Sequence, residues 1–357
     1  MIERDRRRIA QFAPAADAAG FLHPVQQAII HRRGWLRMLA PASAGGSELP
    51  LPAVVRLEEE IAAVDGSMGW VVTLCAGAGW FAGFLAPKLA RDIVGSRRLC
   101  VAGSGAPTGF ADVDGAGYRI SGDWAIASGA PMATHFTLNA IVRDHGRPLE
   151  DERGAPRIRA FIVPATDVDI VPTWRSIGMR ATASHSYRID HRWVAADHGF
   201  TIDAAHATDA GPLYRFPFLS LAFVTLAANV AGIAAHFVRL ARAAITARRH
   251  SLSGLPLAES PEVARRLASA TADMALARDR FYRLLDQAWQ QVVAGAVVST
   301  DECAQLQAAS LALVDVARRA VDELYPCCGL RAADQESELN RVWRDLHTAT
   351  QHALLLP

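Results

Sequence analysis

The feature that most constrains this fold is a change in hydrophobic period, from helical to strand-like and back, along 357 residues. From Pro24 onward, apolar residues recur at helical spacing, and we predict that this helix ends near Pro41. Another helix starts at Pro50, and Asp65 is predicted to cap an apolar third one. Residues 1–97 are therefore predicted to form a helical domain.

The period becomes that of strands between about residues 98 and 211. Residues 118–121 and 136–142 are rich in β-forming side chains. Asp114-Gly115 and Ser121-Gly122-Asp123 have the composition of hairpin turns. We therefore predict a middle domain built as a small antiparallel sheet or barrel.

The helical period returns after Pro212 and continues through long stretches rich in Ala, Leu and Arg. Glycines and prolines separate these stretches, as expected for helix ends. Four long helices with short connections predict an antiparallel four-helix bundle over residues 212–357. The predicted helices cover residues 214–250, 259–295, 300–326 and 336–354. The fold class is thus α+β and mostly α.

The overall charge excludes several classes of partner. The 37 Lys and Arg residues nearly balance the 36 Asp and Glu residues, so no net field attracts nucleic acid or an acidic membrane surface. We expect a small, largely uncharged ligand, no nucleic acid and no membrane. The apolar run from Ser67 to Leu85 contains four glycines and two tryptophans, and we interpret it as a helix buried between other helices.

The five cysteines indicate neither a disulfide framework nor a zinc site, because their number is odd and no paired Cys-x-x-Cys occurs. The helices also lack the paired Glu-x-x-His motifs of a di-iron bundle. The charged N-terminus has no apolar signal core after it. We therefore predict a cytoplasmic protein without a metal site.

Six segments, in order along nearly the whole chain, carry recognisable motifs: Asp65–Trp70, Pro107–Ala111, Gly117–Trp124, Ala127–Gly129, Trp174–Ser184 and Arg341–His352. Together they resemble the motifs of two-component (group D) flavin-dependent monooxygenases in the acyl-CoA dehydrogenase superfamily. The resemblance implies an N-terminal helical domain, a middle β domain, a C-terminal four-helix bundle and a homotetramer.

The same resemblance implies a set of flavin-binding residues. They are Gly103, Ser104, Gly105, Ser128, Gly129, Arg341 and Thr348. Ser128 would place its hydroxyl against flavin N5, although a serine that satisfies its own turn is the alternative. The glycines at 103–109 are followed by a predicted hairpin rather than a helix, so a dinucleotide-binding loop is excluded, and an ordinary loop remains possible.

The last predicted helix places Arg341, Asp345, Thr348 and His352 on one stripe. In the resembled oxygenases, a His here reaches over the flavin, where it hydrogen-bonds an oxygen or deprotonates the substrate. The alternative is a solvated or helix-capping His. Arg341 and Arg344 either bind the flavin phosphate or pair with Asp345 or Glu338.

The resemblance leaves dehydrogenase and oxygenase to be distinguished. An acyl-CoA dehydrogenase needs a carboxylate base, which its family carries near the end of the last helix or on the first bundle helix. Here residues 351–354 read Gln-His-Ala-Leu, and residues 214–250 contain no Asp or Glu. The sequence therefore favours an oxygenase in which reduced FMN or FAD and O2 form a C4a-hydroperoxide that oxygenates a small apolar aromatic or amine substrate.

Such an oxygenase needs a dry pocket, which Trp70, Trp80, Phe81 and residues 214–218 are candidates to wall, with core packing as their alternative role. No nicotinamide-binding fingerprint is present, so a separate NAD(P)H flavin reductase is implied. Two departures from the resembled proteins are Leu74-Cys75, where many carry a His, and Ala181–Ser184, where Gly-Thr-Gly-Ser is common. The competing readings are an acyl-CoA dehydrogenase and a non-redox protein that retains the fold.

Overall fold

A computed structural model describes residues 1–250 and 253–356. Five helices come first, followed by eight strands and then four further helices within these described residues. The first five are α1 (Glu3–Ala19), α2 (Pro24–Arg33), α3 (Leu51–Ala62), α4 (Gly66–Trp80) and α5 (Pro87–Val94). The strands are β1 (Val101–Asp114), β2 (Gly117–Ala127), β3 (His135–Asp144), β4 (Arg147–Pro148), β5 (Ile158–Pro164), β6 (Asp169–Val171), β7 (His185–Ala195) and β8 (Gly199–Phe200). The last four helices are α6 (Phe218–Thr246), α7 (Pro261–Val293), α8 (Thr300–Leu324) and α9 (Glu338–Ala349).

The first helices are shorter than the sequence pattern predicts. Helix α2 ends at Arg33 rather than near Pro41, because Gly34 adopts φ 66° and its N–H caps the carbonyls of Ile30 and His31. The predicted cap of α4 is confirmed: the Asp65 carboxylate accepts a hydrogen bond from the N–H of Met68 at 3.3 Å.

Helix α4 lies in the centre of the helical core and is buried on nearly all sides. Gly69 allows this close packing, since a Cβ there would lie 2.7 Å from Cα of Ala62 on α3. Gly66–Phe84 and Phe218–Thr246 are long and apolar enough to cross a membrane, but 78% of each apolar window is buried inside the molecule. Helices α3, α4 and α6 therefore join the N-terminal and C-terminal helices in one core.

The sheet has the order β6-β7-β2-β1-β3-β5-β8, with β4 paired to β3. The prediction of an antiparallel sheet is wrong at one pair, because β1 and β3 run parallel. The chain leaves β2 and returns beside β1 through residues 128–134, so β3 enters from the same end as β1. The Asp114-Gly115 hairpin is confirmed.

Ser121-Gly122-Asp123 does not form the predicted turn. It lies inside β2, where the register against β7 shifts between Ile120 and Gly122. Gly122 has φ 154° and packs on Gly109. The glycine therefore allows the strand to change register at this point and does not form a chain reversal.

Candidate active site

Helix α4 brings together two groups of residues that lie far apart in sequence. Trp70 makes an edge-on aromatic contact with His352, with 5.8 Å between ring centroids. Val71 and Cys75 pack against Gly129, where an added Cβ would lie 3.0 Å from the Cys75 sulfur. Gly129 has φ 76°, which favours glycine. Ser128-Gly129 and His352 thus contact the same helix.

Ser128 ends a chain of buried hydroxyl groups. Its Oγ lies 2.8 Å from Ser184 Oγ, which lies 2.7 Å from Thr182 Oγ1. The Thr182 hydroxyl donates to the Met179 carbonyl at 2.8 Å. The three side chains are at most 5% exposed. The alternative of a serine bonded to its own turn does not apply, because its partner lies 56 residues away.

The segment containing Thr182 and Ser184 is anchored to α9. The Met179 N–H donates to Oδ1 of the buried Asp345. Gly178 packs on the backbone of α9, so an added Cβ would lie 2.0 Å from the Arg344 carbonyl oxygen. The pKa of Asp345 is raised to about 7, chiefly by burial and also by the nearby carboxylates of Asp65 and Asp17, while the Met179 N–H and Arg341 lower it in part.

Backbone strain concentrates around these hydroxyls. Ile126, Met179 and Ala183 have φ of 63°, 51° and 46°, in the left-handed region that non-glycine residues rarely occupy. Each such residue costs about 1–3 kcal/mol, and strain of this kind clusters at functional sites. Ala183 stands where glycine is common in the resembled proteins. Here a residue with a side chain therefore adopts the left-handed conformation that favours glycine.

Gly103, Ser104 and Gly105 lie within β1 and not in a separate loop, which corrects that part of the prediction. The pairing with β3 shifts between Ser104 and Gly109, so the intervening residues lie outside the regular ladder. An added Cβ at Gly105 would meet nothing within 4 Å, so there is open space beside this backbone. The Cys100 sulfur would lie 3.9 Å from a Cβ on Gly129, which places the start of β1 beside Ser128-Gly129.

His352 does not continue a helical stripe, because α9 ends at Ala349. Arg341, Asp345 and Thr348 do lie on α9 at the predicted spacing, and Arg341 and Asp345 are buried there. His352 caps a following 3-10 turn, in which Nδ1 accepts from the Leu354 N–H at 3.3 Å. Burial lowers its pKa, so the ring is neutral at pH 7. A neutral ring that accepts at Nδ1 carries its proton on Nε2 and offers an N–H donor there.

Arg341 and Arg344 contact protein groups. Arg341 lies 3.5 Å from Glu338 and near Asp65, whose pKa is raised by burial and lowered in part by this arginine. Arg344 donates to Asn340 and pairs with Asp17. The sequence left open whether these arginines bind the flavin phosphate or pair with carboxylates. In the structure both contact carboxylates, although the partner of Arg344 is Asp17. The two arginines also line a polar cavity of about 440 Å³.

Thr348 lies on α9, where its hydroxyl is 3.4 Å from Ser176 Oγ. Among the predicted walls, Trp80 and Tyr214 are core residues: Trp80 packs on Phe84, Tyr214 and Phe218 and donates to the Leu213 carbonyl. Trp70 lies beside His352. Flavin binding by Arg341 and Thr348 stays a prediction.

Three polar side chains that the sequence did not single out are buried without hydrogen-bond partners among the described residues. They are Glu58 on α3, Thr73 on α4 and Asn229 on α6. Burial raises the pKa of Glu58 well above its usual range and thereby favours the protonated carboxyl group. The sequence did not indicate that Glu58 is buried, because α3 packs against α6, a helix that lies far along the chain.

The described residues fit a planar flavin ring better than they fit a metal ion. Residues 103–106 are small and half-buried or exposed, and Gly105 leaves its backbone open to close approach, whereas Ser128 and Gly129 are buried against α4. No group of three or more His, Cys, Asp or Glu side chains suited to a metal occurs in residues 1–250 and 253–356. The site is thus built from small residues, hydroxyls and one neutral imidazole.

Comparisons with known proteins show what this chain is similar to. The family model described as acyl-CoA dehydrogenase, C-terminal domain matches residues 224–357. The structure superimposes on XiaF from Streptomyces sp., solved in complex with FADH2, with a TM-score of 0.88 at 21% identity over 99% of this chain and 91% of the other. Residues 224–357 are thus similar to the C-terminal domain of acyl-CoA dehydrogenases, and the whole chain shares the fold of XiaF.

The chain is also similar, over nearly its whole length, to monooxygenases. It is 28% identical to indole-3-acetate monooxygenase of Pseudomonas putida, covering 99% of this chain and 87% of that protein. It is 24% identical to the flavin-dependent monooxygenase oxygenase subunit HsaA of Rhodococcus jostii, covering 91% of this chain and 85% of that subunit. The resemblance to flavin-dependent oxygenases is confirmed.

Proposed function

We propose that this chain is the oxygenase component of a two-component flavin-dependent monooxygenase. It takes reduced flavin, FMN or FAD, from a separate NAD(P)H flavin reductase and uses O2 to hydroxylate a small apolar substrate. An aromatic ring, such as an indole or a phenol, is the substrate class that its relatives' names support. When bound, the flavin supplies the electrons and activates O2.

The observation that carries the proposal is the kind of side chain at the two positions where a dehydrogenase places its base. His352, rather than a carboxylate, lies beside Trp70 at the end of the chain. Helix α6 contains no Asp or Glu over its whole length. Abstraction of a substrate α-proton therefore has no carboxylate base at either position.

The residues of this chain bind, orient and exclude water. The small residues of β1 and the Ser128-Gly129 segment would provide a surface for the ring. Ser128 would hydrogen-bond the bound flavin, at N5 as the resemblance implies. Trp70 and the buried face of α4 keep water away, which limits wasteful release of hydrogen peroxide.

His352 acts as a hydrogen-bond donor in this proposal. Its Nδ1 accepts from the Leu354 N–H, so Nε2 carries the proton and donates to an oxygen atom of the substrate. This favours the first of the two roles that the sequence left open, hydrogen bonding over proton abstraction. A buried neutral imidazole avoids placing an uncompensated positive charge in the site.

An anaerobic experiment tests the proposal against the dehydrogenase alternative. The protein is loaded with oxidised flavin and mixed with a series of acyl-CoA thioesters, and flavin absorbance is followed. We expect no bleaching, while reduced flavin supplied under air yields hydroxylated indole or phenol. Bleaching by a thioester without oxygen would show a dehydrogenase.

The oligomeric state and location belong to the same proposal. Large apolar side chains are exposed on or beside the bundle, including Leu276 at 71% and Leu330 at 90%. Exposed apolar residues of this kind are expected where subunits pack together. A homotetramer in the cytoplasm is proposed, and light scattering at micromolar concentration tests the assembly.

A further inference from the structure

The buried hydroxyl chain from Thr182 to Ser128 has one arrangement of protons that satisfies all of its contacts. The Thr182 hydroxyl donates to the Met179 carbonyl, which has no proton to give. Thr182 Oγ1 therefore has only lone pairs to offer Ser184, which lies 2.7 Å away. Ser184 must donate to Thr182, since otherwise two oxygen lone pairs would face each other at that distance.

The same reasoning applies one step further along the chain. Ser184 has a single proton, and it is used toward Thr182. The contact of 2.8 Å between Ser184 and Ser128 is then a hydrogen bond only if Ser128 donates. The direction of all three bonds is fixed by one backbone carbonyl, at Met179.

We propose that Thr182 and Ser184 are positioning residues that commit the Ser128 proton away from the flavin, so that Ser128 Oγ is only an acceptor toward N5. This rests on the proposed function. A reduced flavin carries N5–H, which an acceptor binds, whereas an oxidised flavin has a lone pair at N5, which an acceptor repels. The hydroxyl chain therefore selects the reduced cofactor, which suits a protein that receives flavin already reduced.

The direction is held in place by the fold around Met179. Asp345 accepts the Met179 N–H, and Gly178 packs on the backbone of α9. Met179 itself has φ 51°, so its carbonyl is aimed by a backbone conformation that the anchoring contacts maintain. The direction of the Met179 carbonyl, which is the acceptor at the end of the hydroxyl chain, is therefore fixed.

Equilibrium binding of both redox forms tests the inference without measuring turnover. Oxidised and dithionite-reduced flavin are titrated separately into the apoprotein under argon, for the wild type and for Ser184→Ala. In the variant the Ser128 hydroxyl is free to donate to oxidised N5. We expect the dissociation constant of oxidised flavin to fall about tenfold relative to that of reduced flavin, which is the effect of one neutral hydrogen bond. This corresponds to a fall of about 30 mV in the two-electron potential of the bound flavin.

Matched variants separate direction from simple damage to the site. Thr182→Val should move the ratio in the same direction as Ser184→Ala, and Thr182→Ser should restore it. Ser186→Ala removes a hydroxyl that is paired with Thr173 at 2.8 Å elsewhere on β7, and should leave the ratio unchanged. If Ser184→Ala does not fold, the comparison of Thr182→Val with Thr182→Ser still tests the direction of the hydrogen bonds.

The outcomes distinguish this inference from the proposed function. A wild type that prefers reduced flavin, with the same preference in Ser184→Ala and Thr182→Val, would overturn the inference alone. A wild type that prefers oxidised flavin would also overturn it. A protein that binds neither form would overturn both. A lost preference in both variants, with rescue in Thr182→Ser, supports it.

Discussion

Replacing Asp345 by Asn should change how the stability of the protein depends on pH. Asp345 is 2% exposed, and its pKa lies at about 7 instead of 3.8, first because of burial. Arg341 lowers that pKa, while Asp65 and Asp17 raise it. A raised folded-state pKa means that the carboxyl group contributes most at low pH, and that this contribution is lost as pH rises toward 7.

The expected size follows from that window. Between pH 5 and 7 the folded protein keeps a proton that the unfolded chain has released, which costs about 1.4 kcal/mol of stability for each pH unit. The asparagine side chain in Asp345→Asn does not ionise in this pH range, and its amide oxygen can still accept a hydrogen bond from the Met179 N–H. We therefore expect the variant to gain about 3 kcal/mol relative to the wild type between pH 5 and pH 8.

Urea unfolding at pH 5, 6, 7 and 8 measures the difference between the two proteins. Asp286→Asn is the matched control, because Asp286 forms an ion pair with Arg56 and is 46% exposed. The difference between Asp286→Asn and wild type should stay flat across this range. A flat difference for Asp345→Asn as well would refute the reasoning from burial.

Substitutions at three further positions test separate features of the site and the core. His352→Ala should leave flavin affinity intact but lower the product formed per flavin oxidised, whereas His352→Gln, which keeps an N–H donor, should retain more of it; equal losses in assays of product against oxygen consumed would argue for a base instead. Gly178→Ala should destabilise the protein by at least about 1–3 kcal/mol in thermal unfolding, because its Cβ would lie 2.0 Å from the Arg344 carbonyl oxygen, and an unchanged melting temperature would contradict that contact. Glu58→Gln should be better tolerated at pH 8 than Glu58→Asp, because the amide matches the size of the protonated carboxyl and cannot ionise; greater stability of Glu58→Asp at that pH would show that a charge is accommodated there.

The order of the three segments could be predicted from sequence because each period is a local property. The Asp65 cap and the Asp114-Gly115 turn were predicted for the same reason, since each depends on a few neighbouring residues. The parallel pairing of β1 with β3 could not be, because it depends on the path of the chain through residues 128–134. Ser121-Gly122-Asp123 has turn composition, yet tertiary packing of Gly122 on Gly109 keeps it within a strand.

The candidate site was only partly predictable. Ser128 and His352 were singled out by resemblance, and the structure places both against α4. The hydroxyl chain was not found, because Ser128 and Ser184 are 56 residues apart and nothing local links them. The arginines of α9 were assigned from spacing, which gives the face of a helix but not which carboxylates lie opposite it.

The use of reduced flavin to activate O2 is tested by stopped-flow absorbance after mixing the protein, loaded anaerobically with reduced flavin, with air-saturated buffer. We expect an absorbing species near the ultraviolet edge that decays more slowly in the wild type than in Ser128→Ala, followed by the spectrum of oxidised flavin. Immediate appearance of oxidised flavin, at the rate of free flavin and identical in both proteins, would contradict it.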